Sequence, residues 1–466
     1  MADDPLDTQA THLGMIFGGG GGSEAAPATL TFDDRGARLT VPYLHFGADE
    51  RFDVIRGWFV HQMTPTCLVF VTAGHQFTLA GIRWAGYREN GNVSLGTLSA
   101  HRLVGGDQSA YAQDGLTVTG FQSHMDALQH WTAFNAATYE SITDEHGFVE
   151  RLEAVVETTE DVTWTQGDAE MRLTSTWQTD QSQPGFHVNE WAVLQSTFTS
   201  PRSVDDHMHE HEKIRRLLVI LYGADIPFRR HEIRDERYYP RTGDGHVYSR
   251  SGRSLYASCT FRERSRPPVE KATLQKCVGR LASIGSEGLT RWGSEFETWK
   301  RVIHPAAAIF SRERAMLEDR VISLSMCLEA AGQILGQKDG EDATYKPGRR
   351  PETMATHVYR CLSSLDVDWS DVADSKVGIA RAVANNYRQI KHYDASDDFP
   401  AGEETFLVSQ VAAATVRLLI ANIVVASGDL AQNWQPVVGD ALQWFKSHEL
   451  RIDASGSFVL SSVLHK

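Results

Sequence analysis

The chain has 466 residues, of which 41% are hydrophobic and 23% charged, and this composition predicts a folded protein of roughly two to four domains. The formal net charge of −15 excludes a surface that coats DNA without sequence preference, because such binding needs Lys and Arg to neutralise phosphates. The five cysteines form no CxxC or CxxH pair, so we expect a cytoplasmic protein without a disulfide framework, a metal or another cofactor.

The first 27 residues are predicted to be a flexible, Gly-rich leader. The acidic start MADDPLDTQATH is unlike a signal peptide, whose first residues are basic and precede an apolar core. The run GGGGG at 18–22 is not followed by GK[ST], so a phosphate-binding loop is not indicated.

Residues 28–201 are predicted to form a β-rich domain. LTFDDRGARLTV consists of two alternating runs across a DRG turn, and VTWTQGDAEMRLTSTW is a second hairpin candidate. Alternation of apolar and polar residues is typical of half-buried strands. CLVFVTAGHQFTLAGI continues this pattern between the two candidates.

Residues 202–283 are predicted to be a mixed α/β segment that packs on the β-rich domain. Ten Arg and five acidic residues lie between Arg229 and Arg266, interleaved with tyrosines. Guanidinium groups bind phosphates and aromatic rings stack on bases, which favours a nucleic-acid contact. The alternative is a set of surface hairpins whose arginines are paired with carboxylates, and the sequence leaves both interpretations open.

A histidine cluster opens a predicted helix in this segment. His207, His209 and His211 occur in DDHMHEHEK, and His207 and His211 share a helix face because they are four residues apart. No HExxH motif is present. The cluster is therefore either a solvated helix start or a metal or other ligand site.

Residues 284–450 are predicted to form an all-α domain of four or five helices, followed by a C-terminal tail at 451–466. The longest apolar run, at 406–426, contains Gln410, Arg417 and Asn422. A mid-bilayer Arg costs several kcal/mol, so this run is predicted to be a buried core helix and not a membrane span.

The stretch ANNYRQIKHYD at 384–394 lies in a predicted helix that starts near Ser375. Helical spacing puts apolar residues on one side of this helix. On the other side, the polar residues fall within about 60° of one another around the helix axis. The apolar side contains Ile379, Val383, Ile390 and Tyr393, and the polar row contains Arg381, Asn385, Arg388 and His392. The row is either a functional site or the solvated face of a packed helix.

The order of a β-rich half followed by a helical domain, with a helix that ends in a polar Asn, Arg and His row, resembles the ApeA-type proteins of bacterial anti-phage defence. The C-terminal domain of those proteins belongs to the HEPN superfamily. The likeness is greatest in LEDRVISLSMCLEAAGQIL and ANNYRQIKHYD. It implies an α+β multidomain fold, with a β-rich N-terminal half that senses a trigger and an all-α, HEPN-like helical bundle. It also implies a homodimer that cleaves RNA, with tRNA as a candidate substrate, without a metal. A phage-derived trigger would act on the N-terminal half.

The resemblance assigns roles to named residues. His392 would act as acid or base and Arg388 would hold the phosphate. Asn385 or Asn386 would orient the substrate or His392, Lys391 would support RNA binding, and Glu329 would pair with the Arg or lie at the bundle seam. In the family four to six residues separate the Arg from the His, whereas three separate Arg388 from His392.

Three hypotheses follow from the sequence. The first is a defence protein whose helical domain is a metal-independent ribonuclease. The second is a non-catalytic module that dimerises and binds nucleic acid or a phage component. The third is a metal-dependent enzyme centred on the histidines at 207–211.

Overall fold

Strands dominate the first half of the chain and long helices the second, which confirms the predicted fold class. The computed structural model describes residues 11–18, 25–33, 36–44, 50–105, 116–157, 161–180, 187–239, 241–242, 244–247, 252–257, 260, 266–348, 351–392, 400–425 and 435–460.

A closed six-stranded antiparallel barrel begins the fold. The strands follow the order β6-β3-β2-β1-β4-β5, and β5 pairs back with β6 to close the ring. The predicted hairpin across the DRG turn is confirmed, since Asp33 pairs with Gly36. The elements are β1 (Thr11–Phe17), β2 (Ala26–Asp33), β3 (Gly36–Leu44), α1 (Glu50–Val60), β4 (Cys67–Val71), β5 (Gln76–Asn90) and β6 (Val93–Gly105).

The barrel is filled by alternate side chains of its strands and closed by helix α1. Leu39 and Val41 point inward from β3 and are almost fully buried. Phe59 of α1 stacks on Tyr43 and lies where a side chain on Gly96 would be, because an added Cβ would come within 2.2 Å of its ring. Gly96 therefore lets the helix enter the barrel.

The prediction of a flexible leader over residues 1–27 is wrong for β1. Thr11–Phe17 pairs with β2 over six residues and with β4 over three. Closing the barrel requires this strand, because it joins β2 to β4. Gly18 ends the strand with a φ of 97°, and most of the glycine run after it lies outside the described residues.

The sheet continues beyond the barrel in the order β10-β11-β12-β7-β13-β14-β6. The second predicted hairpin is confirmed by the pairing of Gln166 with Ala169. Strands from the 202–283 segment lie inside this sheet, between β7 and β6. The elements are β7 (Thr117–Met125), α2 (Leu128–Thr132), β8 (Ala137–Thr143), β9 (Val149–Val156), β10 (Val162–Gln166), β11 (Ala169–Asp180), β12 (His187–Ser203), α3 (Val204–Tyr222), β13 (Phe228–Ile233) and β14 (Arg253–Ala257).

Six helices of ten or more residues follow within the described part of the second half, one more than the sequence predicts at most. Gly439 interrupts the apolar pattern of the sixth, α10, and lowers its helix propensity. The elements are α4 (Lys271–Leu274), α5 (Leu281–Phe310), α6 (Leu317–Leu335), α7 (Met354–Ser363), α8 (Lys376–Lys391), α9 (Gly402–Val424), α10 (Gln435–Ser447), β15 (Leu450–Ile452) and β16 (Phe458–Leu460).

Helix α9 is the core helix of the bundle, as predicted. It is the one described helix that is long and apolar enough to cross a membrane, with a mean hydropathy of 1.7 over its most apolar window. Within the protein, 89% of that window is buried. The apolar side chains are therefore explained by packing against other helices.

One hydrophobic core joins the two halves. It runs from Leu173 and Leu194 on the sheet through Leu217 of α3 to Leu419 of α9. The Trp292 indole of α5 donates a hydrogen bond to the Lys213 carbonyl of α3 at 3.1 Å. Helix α3 is therefore packed between the sheet and the bundle.

Candidate functional site

Helix α8 carries the predicted site and begins where the sequence indicates. The Ser375 hydroxyl accepts a hydrogen bond from the Gly378 amide at 3.1 Å and caps the first turn. Ile379 and Val383 are buried on the inward side, as predicted. The opposite side of the helix is therefore available to solvent or to a partner.

The N-terminal half of α8 is fixed by the C-terminal hairpin. A Cβ on Gly378 would come within 2.2 Å of the Asp453 carbonyl oxygen, so only glycine allows this approach. The Arg381 guanidinium donates to the carbonyls of Ala343 at 2.7 Å and Ala454 at 2.9 Å. Arg381 thus acts as a structural clamp, and the predicted tail at 451–466 contains a packed β15–β16 hairpin.

The C-terminal half of α8 exposes the remaining polar row. Asn385, Arg388 and His392 are all exposed. The His392 amide donates to the Arg388 carbonyl at 2.9 Å, which places the two residues one turn apart at the helix end. Within the described residues, neither the Arg388 guanidinium nor the His392 imidazole forms a hydrogen bond or an ion pair. Both exposed side chains can therefore contact a ligand without breaking a hydrogen bond or ion pair to the described residues.

Asn386 does not belong to this row. It is 3% exposed, and its side-chain amide donates to the Thr405 hydroxyl of α9 at 3.1 Å. The assignment of Asn386 as an RNA-binding residue is therefore corrected, because its side chain is directed into the bundle. Its Oδ1 atom has no hydrogen-bond partner among the described residues.

Lys391 and Glu329 lie together at the edge of the row. The Lys391 ammonium donates to the Tyr387 hydroxyl at 2.8 Å and lies 5.1 Å from the centre of that ring. The hydrogen bond to Tyr387 raises the pKa of Lys391, and the Glu329 carboxylate of α6 adds to the effect. The Glu329 carboxylate is therefore near enough to Lys391 to act on its charge. Tyr387 and Lys391 are four residues apart on one helix, so helical spacing is the signal that could have found their contact.

The exposed side of α6 beside Glu329 is partly apolar. Met326 is 50% exposed and Ile322 is half-buried. Helical spacing puts Ile322, Met326 and Glu329 on one side of α6. Ile322 and Met326 therefore form a small apolar patch on the side of α6 that carries Glu329.

A buried ion pair in the bundle contrasts with this open row. The Arg360 guanidinium of α7 donates to both Glu341 carboxylate oxygens at 2.7 Å. These hydrogen bonds lower the pKa of Glu341 to about 2. Arg360 lies 19 residues from Glu341 along the chain, so the local sequence pattern does not indicate this pair.

The histidines of α3 are not a solvated helix start. His207 and His211 are 0% exposed, whereas His209 is exposed. His207 Nε2 is 3.0 Å from the Val118 carbonyl and therefore donates to it. In a neutral imidazole Nδ1 must then accept, and it lies 2.7 Å from the Ser196 hydroxyl.

The hydrogen bonds continue in one direction through the sheet. His211 Nε2 lies 2.9 Å from Ser196 Oγ and donates to it, and His211 Nδ1 accepts from Ser123 Oγ at 2.6 Å. Ser123 accepts from His231 Nδ1 at 2.7 Å. His231 Nε2 is left as a buried acceptor with no partner among the described residues. We call this set of three histidines and two serines the His–Ser relay.

The His–Ser relay holds neutral imidazoles. Burial lowers the pKa of His207 and lowers that of His211 well below its ordinary value. Burial also lowers the pKa of His231 to about 3. In the described part of the chain, no cluster of three or more His, Cys, Asp or Glu side chains is arranged to hold a metal ion. The relay therefore stabilises the contact between α3 and the sheet.

The described arginines of the Arg-rich segment all have hydrogen-bond or ion-pair partners within the protein. Tyr238 and Tyr256 are buried, at 1% and 3% exposure, and cannot stack on bases. Each described arginine has a carboxylate or carbonyl partner: Arg229 with Asp126, Arg230 and Arg234 with Glu232, Arg237 with Asp235, Arg241 with Gly245, Arg253 with Tyr238 and Arg266 with Asp225. These contacts favour the interpretation as paired hairpins.

Comparison with known families decides the identity of the β-rich half. A family model described as ApeA N-terminal domain 1 matches residues 16–254. The chain belongs to the ApeA family of anti-phage defence proteins. The ApeA match covers the barrel and the sheet that continues from it, including α3 and the start of β14. No curated protein and no solved structure matches the chain at a significant level.

Proposed function

We propose that the helical bundle of this ApeA-family protein is a HEPN-like, metal-independent ribonuclease that acts during phage infection. The observation that supports it most directly is the Arg388–His392 pair, which is exposed, one turn apart and without a hydrogen-bond or ion-pair partner in the described residues. The family supports a role in defence. The ribonuclease activity goes beyond the family match and rests on this pair.

The chemistry requires no metal. His392 takes the proton from a ribose 2′-hydroxyl, and the 2′-oxygen attacks the adjacent phosphorus. Arg388 stabilises the charge that builds on the phosphate oxygens, and the imidazolium form of His392 donates its proton to the 5′-oxygen as the P–O5′ bond breaks. Side chains one helical turn apart have Cβ atoms about 5–6 Å apart, so both can reach one phosphate. Asn385, on the same exposed face, can orient the substrate.

A second copy of the chain would complete the site. The apolar patch of Ile322 and Met326 on α6 offers a surface for pairing. Pairing through this patch would bring two Arg388–His392 pairs toward one cleft. Lys391, held at the edge by Tyr387, would add positive charge for the RNA backbone.

RNA integrity in cells tests the proposal. We would express the wild type, Arg388→Ala and His392→Ala, challenge each culture with phage, and examine tRNA and rRNA on denaturing gels. We expect cleavage by the wild type and a loss of about 100-fold or more in each variant, because removal of an acid–base or charge-stabilising group typically costs that much.

Matched controls separate the site from the general surface. His209→Ala and Arg312→Ala remove the same residue types from exposed positions on α3 and after α5, and both should cleave as the wild type does. Cleavage by the purified protein should continue in EDTA. Loss of cleavage in EDTA would instead indicate metal chemistry.

The alternative is a non-catalytic bundle that dimerises and binds nucleic acid or a phage component. Intact RNA in all cultures after phage challenge, with the proteins expressed at equal levels, would refute catalysis by this row and favour the alternative. Binding of labelled RNA that weakens in Arg388→Ala without any cleavage would identify the row as a binding surface.

A further inference from the structure

The hairpin formed by β8 and β9 extends from the body of the protein. The two strands form a separate two-stranded sheet and pair only with each other among the described strands. Ala137, at the base, is buried, whereas every later residue of β8 is exposed. In β9, only Glu153 and Val156 are half-buried.

The hairpin is ordered up to its tip. The Asp144 amide donates to the Phe148 carbonyl at 2.8 Å. The Asp144 carboxylate accepts from the amides of His146 at 2.9 Å and Phe148 at 2.8 Å. The turn thus fixes the register of two strands that have little other support.

One face of the hairpin is apolar. Tyr139 lies opposite Ala154, and Ser141 lies opposite Leu152. Tyr139 is 62% exposed and Leu152 is 60% exposed. At the tip, Phe148 is 72% exposed. Large apolar side chains grouped in this way are unfavourable in water and typical of binding surfaces.

The other face contains a pair of glutamates beside the exposed side chains of Ile142 and Val155. Glu140 lies directly opposite Glu153, and Ile142 lies opposite Arg151. Arg151 pairs with Glu153 at 2.5 Å, which leaves Glu140 without a cation among the described residues. Residues 137–156 contain five carboxylates and one Arg, a formal net charge of −4.

The negative charge of the hairpin determines which kind of molecule can bind to its apolar face. RNA and anionic membranes are repelled by carboxylates. A second copy of the hairpin would place its own glutamates beside Glu140 and Glu153, and like charges on adjacent strands are destabilising. A basic polypeptide is attracted, and a strand with alternating side chains matches an open sheet edge.

We propose that the β8–β9 hairpin is a docking arm for a basic protein partner, which adds an extended strand to an open edge and covers the Tyr139–Leu152 face. An isolated two-stranded hairpin is marginally stable at best, so the added strand also stabilises the arm. The proposal does not depend on whether the helical bundle cleaves RNA.

Peptide binding to the full-length protein tests the docking arm. The probe is a fluorescent peptide of alternating valine and lysine, compared with its valine–glutamate counterpart and with a version in which proline replaces alternate valines. We expect fluorescence anisotropy to show binding of the valine–lysine peptide only, because proline removes the amide donors of a strand.

Substitutions on the arm locate the site. Tyr139→Ser with Leu152→Ser should weaken binding about tenfold or more, since two apolar contacts are lost. Glu140→Lys with Glu153→Lys should reverse the preference toward the valine–glutamate peptide. Leu13→Ser, at a barrel position that is 77% exposed, is the matched control and should bind as the wild type does. These side chains are exposed or, in the case of Glu153, half-buried, so circular dichroism should be unchanged in all variants.

Several outcomes would overturn the proposal. Equal binding of the lysine and glutamate peptides, or binding that the arm variants do not change, would remove the arm as the site. A dimer of the wild type that Leu152→Ser abolishes in sedimentation would assign the face to a second copy. Binding to phosphatidylglycerol vesicles that is lost in Leu152→Ser would assign it to a membrane.

Discussion

Helices α3 and α8 each place two polar side chains one turn apart, and the fold uses the two pairs in opposite ways. His207 and His211 of α3 are fully buried and bonded to serines of the sheet. Arg388 and His392 of α8 are exposed and unbonded within the described residues. The element that packs against a helix, and not the polar pattern of the helix itself, therefore decides whether the polar face has a structural role.

The ends of the two helices differ in the same way. The Arg417 guanidinium of α9 donates to the carbonyls of Ile220 at 3.1 Å and Leu221 at 2.7 Å, at the C-terminal end of α3. Helix α8 ends at His392, whose amide bonds to the Arg388 carbonyl of the same helix. Helix α3 is therefore held along its face and at its end, whereas the exposed face of the last turns of α8 has no such support from another element among the described residues.

The largest effect is expected from His211→Ala in the His–Ser relay. The substitution leaves the hydroxyls of Ser123 and Ser196 short of partners and opens a cavity in a fully buried site. We expect the free energy of unfolding to fall by about 2–4 kcal/mol. Urea unfolding followed by circular dichroism measures this loss.

The exposed His209 of the same helix is the control for this prediction. His209→Ala should change the free energy of unfolding by less than about 0.5 kcal/mol. If His211→Ala is as mild as His209→Ala, the relay does not stabilise the contact between α3 and the sheet, and the contrast with α8 is lost.

Arg417→Leu should have the next largest effect, because it removes the charged donor from the end of α3. Three backbone carbonyls accept from this guanidinium, including that of Lys276 at 2.6 Å. We expect a loss of about 2–3 kcal/mol in the free energy of unfolding. Arg417→Lys should retain part of the stability. Equal losses in the two variants would mean that packing of the side chain, and not its hydrogen bonds, stabilises the junction.

The pH dependence of stability tests the neutral state of the relay. Burial lowers the folded pKa of His231 to about 3, below the unfolded value of about 6.5. The unfolded chain therefore binds the proton first as the pH falls, so stability is greatest above about pH 6.5 and decreases toward pH 3 by about 1.4 kcal/mol per unit for each such histidine.

His231→Phe isolates the contribution of one imidazole to this slope. We expect the fall in the free energy of unfolding between about pH 6.5 and 5 to become smaller by about 1.4 kcal/mol per pH unit. Above about pH 5 the carboxylates titrate little, so the difference in slope between the wild type and the variant measures the protonation of histidine. The titratable neighbours of the relay are His124, Asp206 and Asp235. An unchanged slope would show that His231 is not neutral in the folded protein.

The sequence predicts elements well where the pattern is local and fails where distant partners decide. The hairpin at Asp33 and Gly36, the core helix α9 and the inward side of α8 all follow from spacing within one segment. Closure of the barrel and inclusion of β1 depend on strands far apart in the chain. The burial of His207 depends on Ser196 and Val118 in the same way.

The candidate site shows the same limit. The exposure of Arg388 and His392 follows from helical spacing, as does the burial of Ile379 on the other side. The inward direction of Asn386 depends on Thr405 of α9, and the clamp role of Arg381 depends on carbonyls of two loops. A polar residue next to a predicted site is therefore assigned with confidence only when its neighbours in space are known.

The smallest effect on stability is expected at the α8 row itself. Arg388→Ala and His392→Ala remove exposed side chains without hydrogen bonds in the described part of the chain, so each should change the free energy of unfolding by less than about 0.5 kcal/mol. Asn386→Ala, on the inward face of the same helix, should lower the free energy of unfolding by about 1–2 kcal/mol, because the Thr405 hydroxyl loses the amide that donates to it. If the two exposed variants lost as much stability as Asn386→Ala, the row would have structural partners, and the loss of RNA cleavage in these variants could no longer be attributed to chemistry.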